Sequence, residues 1–187
     1  MPESLAWQLA EGSTAYELAR SSGDYEQSIL IEAASQVGNA TEEELLANLT
    51  HSDPGVRFWG AVGLSAAASL SQKAITALTD TLNDAFPSPR IEAAHALARH
   101  GKLEKSIPAL AQALGHEDLI AVQHAARTIE LLGEKATDAL PAVEACHARM
   151  QSIRPPGTSP VLVDPEKDQA MFVGFSTEAF LARFGTK

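Results

Sequence analysis

Residues 53–64 read Asp-Pro-Gly-Val-Arg-Phe-Trp-Gly-Ala-Val-Gly-Leu, and residues 90–97 read Arg-Ile-Glu-Ala-Ala-His-Ala-Leu. At an offset of 33 the two stretches align Arg57 with Arg90, Ala61 with Ala94 and Leu64 with Leu97. Working outward, Ala94, Leu97 and Gly101 return 32 positions later as Ala126, Ile129 and Gly133. The segments between them repeat too: Leu46, Leu78 and Leu110 are spaced by 32, as are Ile75 and Ile107, while Leu140 follows Ile107 by 33. A fixed period of this size marks stacked units, each too small to bury its own apolar face.

Composition selects helices as the units. The chain of 187 residues is 45% hydrophobic but only 5% aromatic, and its apolar residues are mostly Ala and Leu. These favour close helix packing, whereas a sheet would call for alternating Val, Ile and Tyr. Against 14 basic residues stand 24 acidic ones, a formal charge of −10, which repels a phosphate backbone and argues against nucleic acid as a partner. Cys146 is the single cysteine, so no internal disulfide is expected and the compartment stays open. Met-Pro-Glu-Ser-Leu at the start offers no basic region followed by an apolar run, and no window reaches the roughly 18 apolar residues of a membrane span. Neither an export signal nor a membrane span is expected.

Local signals place the units in order. Residues 1–40 read as an irregular opening unit, with Thr14 and Glu17 at capping-box spacing and a helix over Tyr25–Val37 whose apolar face is Ile29, Ala33 and Val37, stopped by Gly38. Core repeats span 41–152. The first opens on a capping box at Thr41 and Glu44, with Leu45, Leu46 and Leu49 inward; Asp53 caps the next helix and Pro54 starts it. The second pair sets Ile75, Leu78 and Leu82 before a helix capped by Ser88 and begun by Pro89. The third sets Ile107, Leu110 and Leu114 before a helix capped by Asp118 and closed by Gly133. A fourth starts near Asp138, with Leu140, Val143 and Cys146 inward. Residues 153–170, holding Pro155, Pro156, Gly157, Pro160 and Pro165, are expected to be a loop. Residues 171–187 then form a capping helix crowded with Phe172, Phe175, Phe180 and Phe184.

These residues carry a resemblance in two layers. Asp53-Pro54-Gly55-Val56-Arg57 with Ala61 and Leu64, and Pro89-Arg90 with Ala94 and Leu97, resemble the Asp and Arg turn pattern of HEAT-like repeats. The third repeat departs from it, since Val122 stands at the arginine position. More narrowly, Val56-Arg57-Phe58-Trp59-Gly60-Ala61-Val62-Gly63-Leu64, Leu132-Gly133-Glu134-Lys135-Ala136 with Ala139-Leu140-Pro141-Ala142, and Met171 to Gly185 are similar to the C-terminal helical region attached to some bacterial sulfatases. The likeness covers most of residues 15–185. It implies an all-α, right-handed α-α superhelix, a HEAT-like solenoid of about five helical pairs in one domain.

What the resemblance implies for chemistry is an appendage without the enzyme. Sulfatases of that kind use a Cys/Ser-x-Pro/Ala-x-Arg setting beside a calcium; in Cys146-His147-Ala148-Arg149 the arginine comes one place too early, and no acidic cluster supplies calcium's oxygens. Cys146 reads as a small buried apolar residue. His116-Glu117 is similar to one His-Glu pair of HEAT-like deoxyhypusine hydroxylases, but a lone pair in a turn makes no two-metal site. His95 and His124 can approach one another from neighbouring repeats without a third ligand to complete a metal site. No catalytic residue, metal or cofactor is therefore expected.

The expected role is a packing or protein-interaction module. In the leading version it is the accessory domain of a sulfatase-like protein, periplasmic or secreted if that enzyme is exported and otherwise cytoplasmic, and its partner is the catalytic domain or a second copy. The alternative is a free-standing scaffold that holds a protein or peptide on its concave face; a lyase-type enzyme of HEAT-like build comes third. Candidate interaction residues are Arg57, Trp59, Arg90, Phe172, Phe175 and Phe180. Trp59 is read mainly as packing between repeats, and the two arginines as bridges between adjacent turns.

Overall fold

A computed structural model of the chain describes residues 29–155, 157 and 164–185. Nine α-helices lie among them: α1 Ile29–Ser35, α2 Glu42–Leu49, α3 Pro54–Ala66, α4 Gln72–Thr81, α5 Pro87–Arg99, α6 Leu103–Ala113, α7 Leu119–Leu132, α8 Leu140–Ile153 and α9 Pro165–Phe184. A 3-10 segment, Gly133–Ala139, joins α7 to α8. No strand occurs among the described residues, and no helix there is long and apolar enough to cross a membrane.

The helix ends follow from local chemistry. At Thr41 the hydroxyl accepts from the Glu44 N–H at 3.3 Å while the Glu44 carboxylate accepts from the Thr41 N–H at 2.8 Å, a closed capping box. The Asp53 carboxylate takes the N–H groups of Gly55 and Val56 at 2.7 and 3.4 Å, with Pro54 in the first turn, where its missing donor costs nothing. Asp118 does the same for Ile120 at 2.9 Å. The end of α5 is a Schellman turn: Lys102 N–H reaches the Leu97 carbonyl at 2.9 Å and Gly101 N–H the Ala98 carbonyl at 3.0 Å, with Gly101 at φ 77°.

Helices α2/α3, α4/α5, α6/α7 and α8/α9 form successive pairs, and α1 packs on α3. The second members α3, α5, α7 and α9 lie side by side as one layer. Their mutual contacts are more extensive than those between successive first helices, so the stack is an α-α solenoid that draws tighter along that layer. Glycine makes one contact possible: a Cβ on Gly60 would stand 3.0 Å from the Leu45 carbonyl oxygen and 3.1 Å from Leu49 N, so α3 lies almost on the backbone of α2.

Two apolar clusters fill the interior. Leu45, Leu46, Leu49, Leu64, Leu78 and Leu97 belong to one; Ile91, Ile107, Leu110, Leu114, Ile129 and Val143 belong to the other. Helix α5 contributes to both, and eight of its 13 residues are buried. Alanines at 93, 94, 96 and 98, all 0% exposed, let neighbours close in from several sides.

Several expectations are corrected here. Helix α5 begins at Pro87 with Phe86 in the cap position, so Ser88 and Pro89 are not its cap and first residue but lie inside its first turn; two prolines are tolerated there because first-turn N–H groups need no helical partner. Helix α9 begins at Pro165 rather than 171. Asp164 caps it through the N–H groups of Glu166 and Lys167, which makes Pro165 a helix starter where a breaker was expected. The expected capping box at Thr14 and Glu17, and the start of the helix at Tyr25, lie outside the described residues. Of the face expected on that helix, Ala33 is buried while Ile29 is exposed, and Gly38 takes the positive φ of 78° that ends such a turn.

Candidate interaction surface

The turns between first and second helices are tied by arginine. Arg57 reaches forward to the next repeat, its Nε and Nη2 donating to Asp84 Oδ2 and Oδ1 at 2.6 and 2.9 Å. Its Nη1 reaches back to the carbonyls of His51 and Ser52, both at 2.8 Å. Burial works to raise the Asp84 carboxyl, but the bonds from Arg57 and the Phe86 N–H outweigh it and hold the group below its ordinary range. Arg90 donates from Nη1 to the Asp84 carbonyl at 2.6 Å. Arg57 thus bridges two successive turns, whereas the Arg90 bond stays within the turn that leads into its own helix.

In the third repeat Val122 is fully buried, and the clamp comes from elsewhere. Arg149 of α8 donates from Nη1 to the His116 carbonyl at 3.1 Å and from Nη2 to the Leu114 carbonyl at 3.0 Å. His116 repeats a device used at His51: each Nδ1 accepts the N–H of an aspartate two residues on, Asp53 and Asp118, at 3.0 Å. The Asp53/Asp118 and His51/His116 pairs are both 65 residues apart, twice the repeat, a correspondence that would have revealed the device in the sequence.

His95 and His124 meet through a residue that pattern reading passes over. Glu92, 6% exposed, bonds His95 Nδ1 through Oε1 at 2.9 Å and His124 Nε2 through Oε2 at 3.2 Å. Burial pushes the Glu92 carboxyl up, and the bonds and charges of the two imidazoles more than reverse it. A carboxylate at the fourth position after Ser88 on an otherwise Ala-rich face is the signal that could have found it. No group of three or more His, Cys, Asp and Glu among the described residues is placed to hold a metal ion. Cys146 is 4% exposed within the second cluster, and burial pushes its thiol above the ordinary range.

The candidate residues fall in two separate places. Trp59 lines a recess of about 480 Å³ where α1, α3, α5 and α7 begin or pass, together with Phe58, Phe86, Leu30, three prolines and Asp118. Phe58 sits edge-on to Trp59, ring centroids 5.2 Å apart, and to His124 at 6.0 Å. Arg57 stacks its guanidinium 5.7 Å from the Phe86 ring centroid. The second place is the outward side of α9, where Phe172 and Phe175 are 42% and 58% exposed and contact each other at 6.3 Å. Phe180 does not join them: at 1% exposure it packs inward with Ala170 and Val173, because it lies on the side of α9 that faces α7 and α8.

Comparison with known proteins agrees with the stacked pairs. Residues 75–151 match the family described as HEAT repeats, a span from within α4 to the last turns of α8. No curated protein and no solved structure matches the chain. The matched span is similar to HEAT repeats, and the same pairing of helices, an α-α solenoid, continues on both sides of it.

Proposed function

We propose that this chain is a protein-interaction module that docks through its C-terminal end, against the catalytic domain of a sulfatase-like enzyme. The observation that carries the reading is the outward side of α9. Grouped exposed aromatics mark interaction surfaces, and Phe172 and Phe175 stand exposed and in contact on that side. Phe175 also lines a recess of about 390 Å³ shared with His147, Met150 and Gln151 of α8, so the exposed rings lie beside a concave surface that a partner can enter. The resemblance of residues 56–64, 132–142 and 171–185 to the helical region of some sulfatases supports the identity of the partner. Interfaces between domains of one chain typically bury about 600 to 1,500 Å², an area the outer side of the 20-residue α9 and its surroundings can supply. The role so read is non-catalytic packing that shapes access or assembly.

Calorimetric titration with a sulfatase catalytic domain, paired with light scattering of the chain alone, tests it. Heat of binding that disappears in the Phe172→Ser, Phe175→Ser double variant is the expected result. A monomer that gives no heat with that domain overturns the sulfatase reading.

A second reading, a free-standing scaffold that holds a peptide along the second helices, is favoured by the aromatic recess around Trp59. It is compatible with docking through the opposite end of the stack.

A further inference from the structure

We infer that the recess between α1, α3, α5 and α7 receives an extended peptide carrying an arginine or lysine, whose alkyl stem lies against Trp59 and Phe58 while its charge meets Asp118. The inference deepens the scaffold reading and is independent of what α9 docks against.

Three second helices start around this recess, and helix starts ordinarily attract anions through free N–H groups. Here most of those donors are missing or taken: Pro54, Pro87 and Pro89 have none, Gly55 and Val56 give theirs to Asp53, and Ile120 gives its own to Asp118, which leaves Ser88 N–H in the first turn of α5 as a donor no side chain caps. Arg57, whose guanidinium lies over the Phe86 ring, is engaged as well, by Asp84 and two carbonyls. Asp118 is the ionisable residue among those that line the recess. It is exposed, and its carboxylate has more acceptor sites than one N–H occupies.

Charge and shape therefore point to the same occupant. A carboxylate beside the rings of Phe58, Trp59 and Phe86 suits a cation that carries apolar methylenes, since aromatic faces attract cations and cover their stems. The chain's formal charge of −10 draws such a ligand in. Aromatic walls set among prolines suit an extended, polyproline-like backbone, which docks by side-chain contact without needing ladder hydrogen bonds. A volume of about 480 Å³ accommodates a few residues of it.

The test uses the full chain with Trp7→Phe, which leaves Trp59 as the one tryptophan reporter. A blocked octapeptide alternating proline and arginine is titrated against Trp59 fluorescence at low ionic strength, beside the same peptide with glutamate for arginine. Saturable binding of the arginine peptide alone, weakened by salt, is expected. Asp118→Asn keeps the cap, because Asn serves that position as well as Asp, and should weaken binding by about fivefold or more through lost charge complementarity, with an unchanged melting curve. Phe86→Ala should weaken it too, whereas the Phe172→Ser, Phe175→Ser variant should bind as before, which separates this site from the α9 face. Equal binding of the two peptides, no binding of either, full binding by Asp118→Asn, or self-association that Phe86→Ala abolishes would each overturn the inference.

Discussion

Arg149 and His116 are 33 residues apart, yet Nη1 of the first donates to the main-chain carbonyl of the second at 3.1 Å, and Nη2 takes the carbonyl of Leu114 beside it. The third turn, whose own helix carries Val122 where its counterparts carry arginine, is thus secured by the repeat that follows. Arg149→Ala should destabilise the chain by about 2 to 3 kcal/mol, the scale of hydrogen bonds to a charged donor lost from a partly buried site. Arg149→Lys should recover less than half, because an ammonium cannot span two carbonyls with the same planar fork. Urea denaturation of both variants measures it; a loss below about 0.5 kcal/mol for the alanine variant would remove the clamp from the account.

Leu97 and Leu110 are each 0% exposed, one in each apolar cluster. Truncation to alanine at either site should cost roughly 2 to 5 kcal/mol, the range for emptying a packed position. Because the sites lie in different clusters, the double variant should lose close to the sum. Denaturant titration of the three variants gives the comparison.

Gly60→Ala tests the approach of α3 to α2. The added methyl meets main-chain atoms of Leu45 and Leu49 that cannot swing aside, so a loss of about 1 to 3 kcal/mol is expected despite alanine's better helix propensity. A stabilised variant would show that the two helices are free to separate.

Acid should weaken the fold through its buried carboxylates. Asp84 and Glu92 are held below their ordinary pKa, so the native state favours their ionised forms. Their contribution is present above the unfolded-state values, about 4 for such groups, and fades as pH falls through the lower native values. Asp84→Asn should lower stability at neutral pH and flatten the decline below about pH 4. Denaturation midpoints across that window provide the check; an acid limb as steep as the parent's would exclude Asp84 as a source.

Cys146 should be nearly inert to a thiol reagent in the native chain, since it is buried and its thiolate is disfavoured. The rate should rise to that of a free thiol in denaturant. Fast native labelling would show that α8 opens readily.

The repeat was legible in the sequence because leucines and alanines at 32- or 33-residue spacing answer to one physical demand, a covered face. Turn aspartates at 53 and 118 and the glycines at 38, 101 and 133 were legible for the same kind of reason: each meets a fixed backbone need. Contacts made at a distance were less so. Glu92 counts as a surface residue by type, and only the packing of α7 on α5 brings His124 to it. Arg149 looked like part of a defective catalytic motif, while its actual partners are carbonyls, which carry no sequence signal. Phe180 shared a cluster with Phe172 and Phe175 by composition, and helical rotation alone divides buried ring from exposed ones. Pro165 reads as a breaker from composition because proline stops and starts helices with the same ring, and the Asp164 cap before it decides which.

Helix α5 offers Ala93, Ala96 and Leu97 to one apolar cluster and Ile91 and Ala94 to the other. A linear stack can fray from either end, one repeat at a time. This one has a keystone. Loosening that begins at α1 or at α9 travels inward only until it reaches a helix gripped from both sides, so hydrogen exchange should be slowest in α5. A protein pulled by its ends should give way there last.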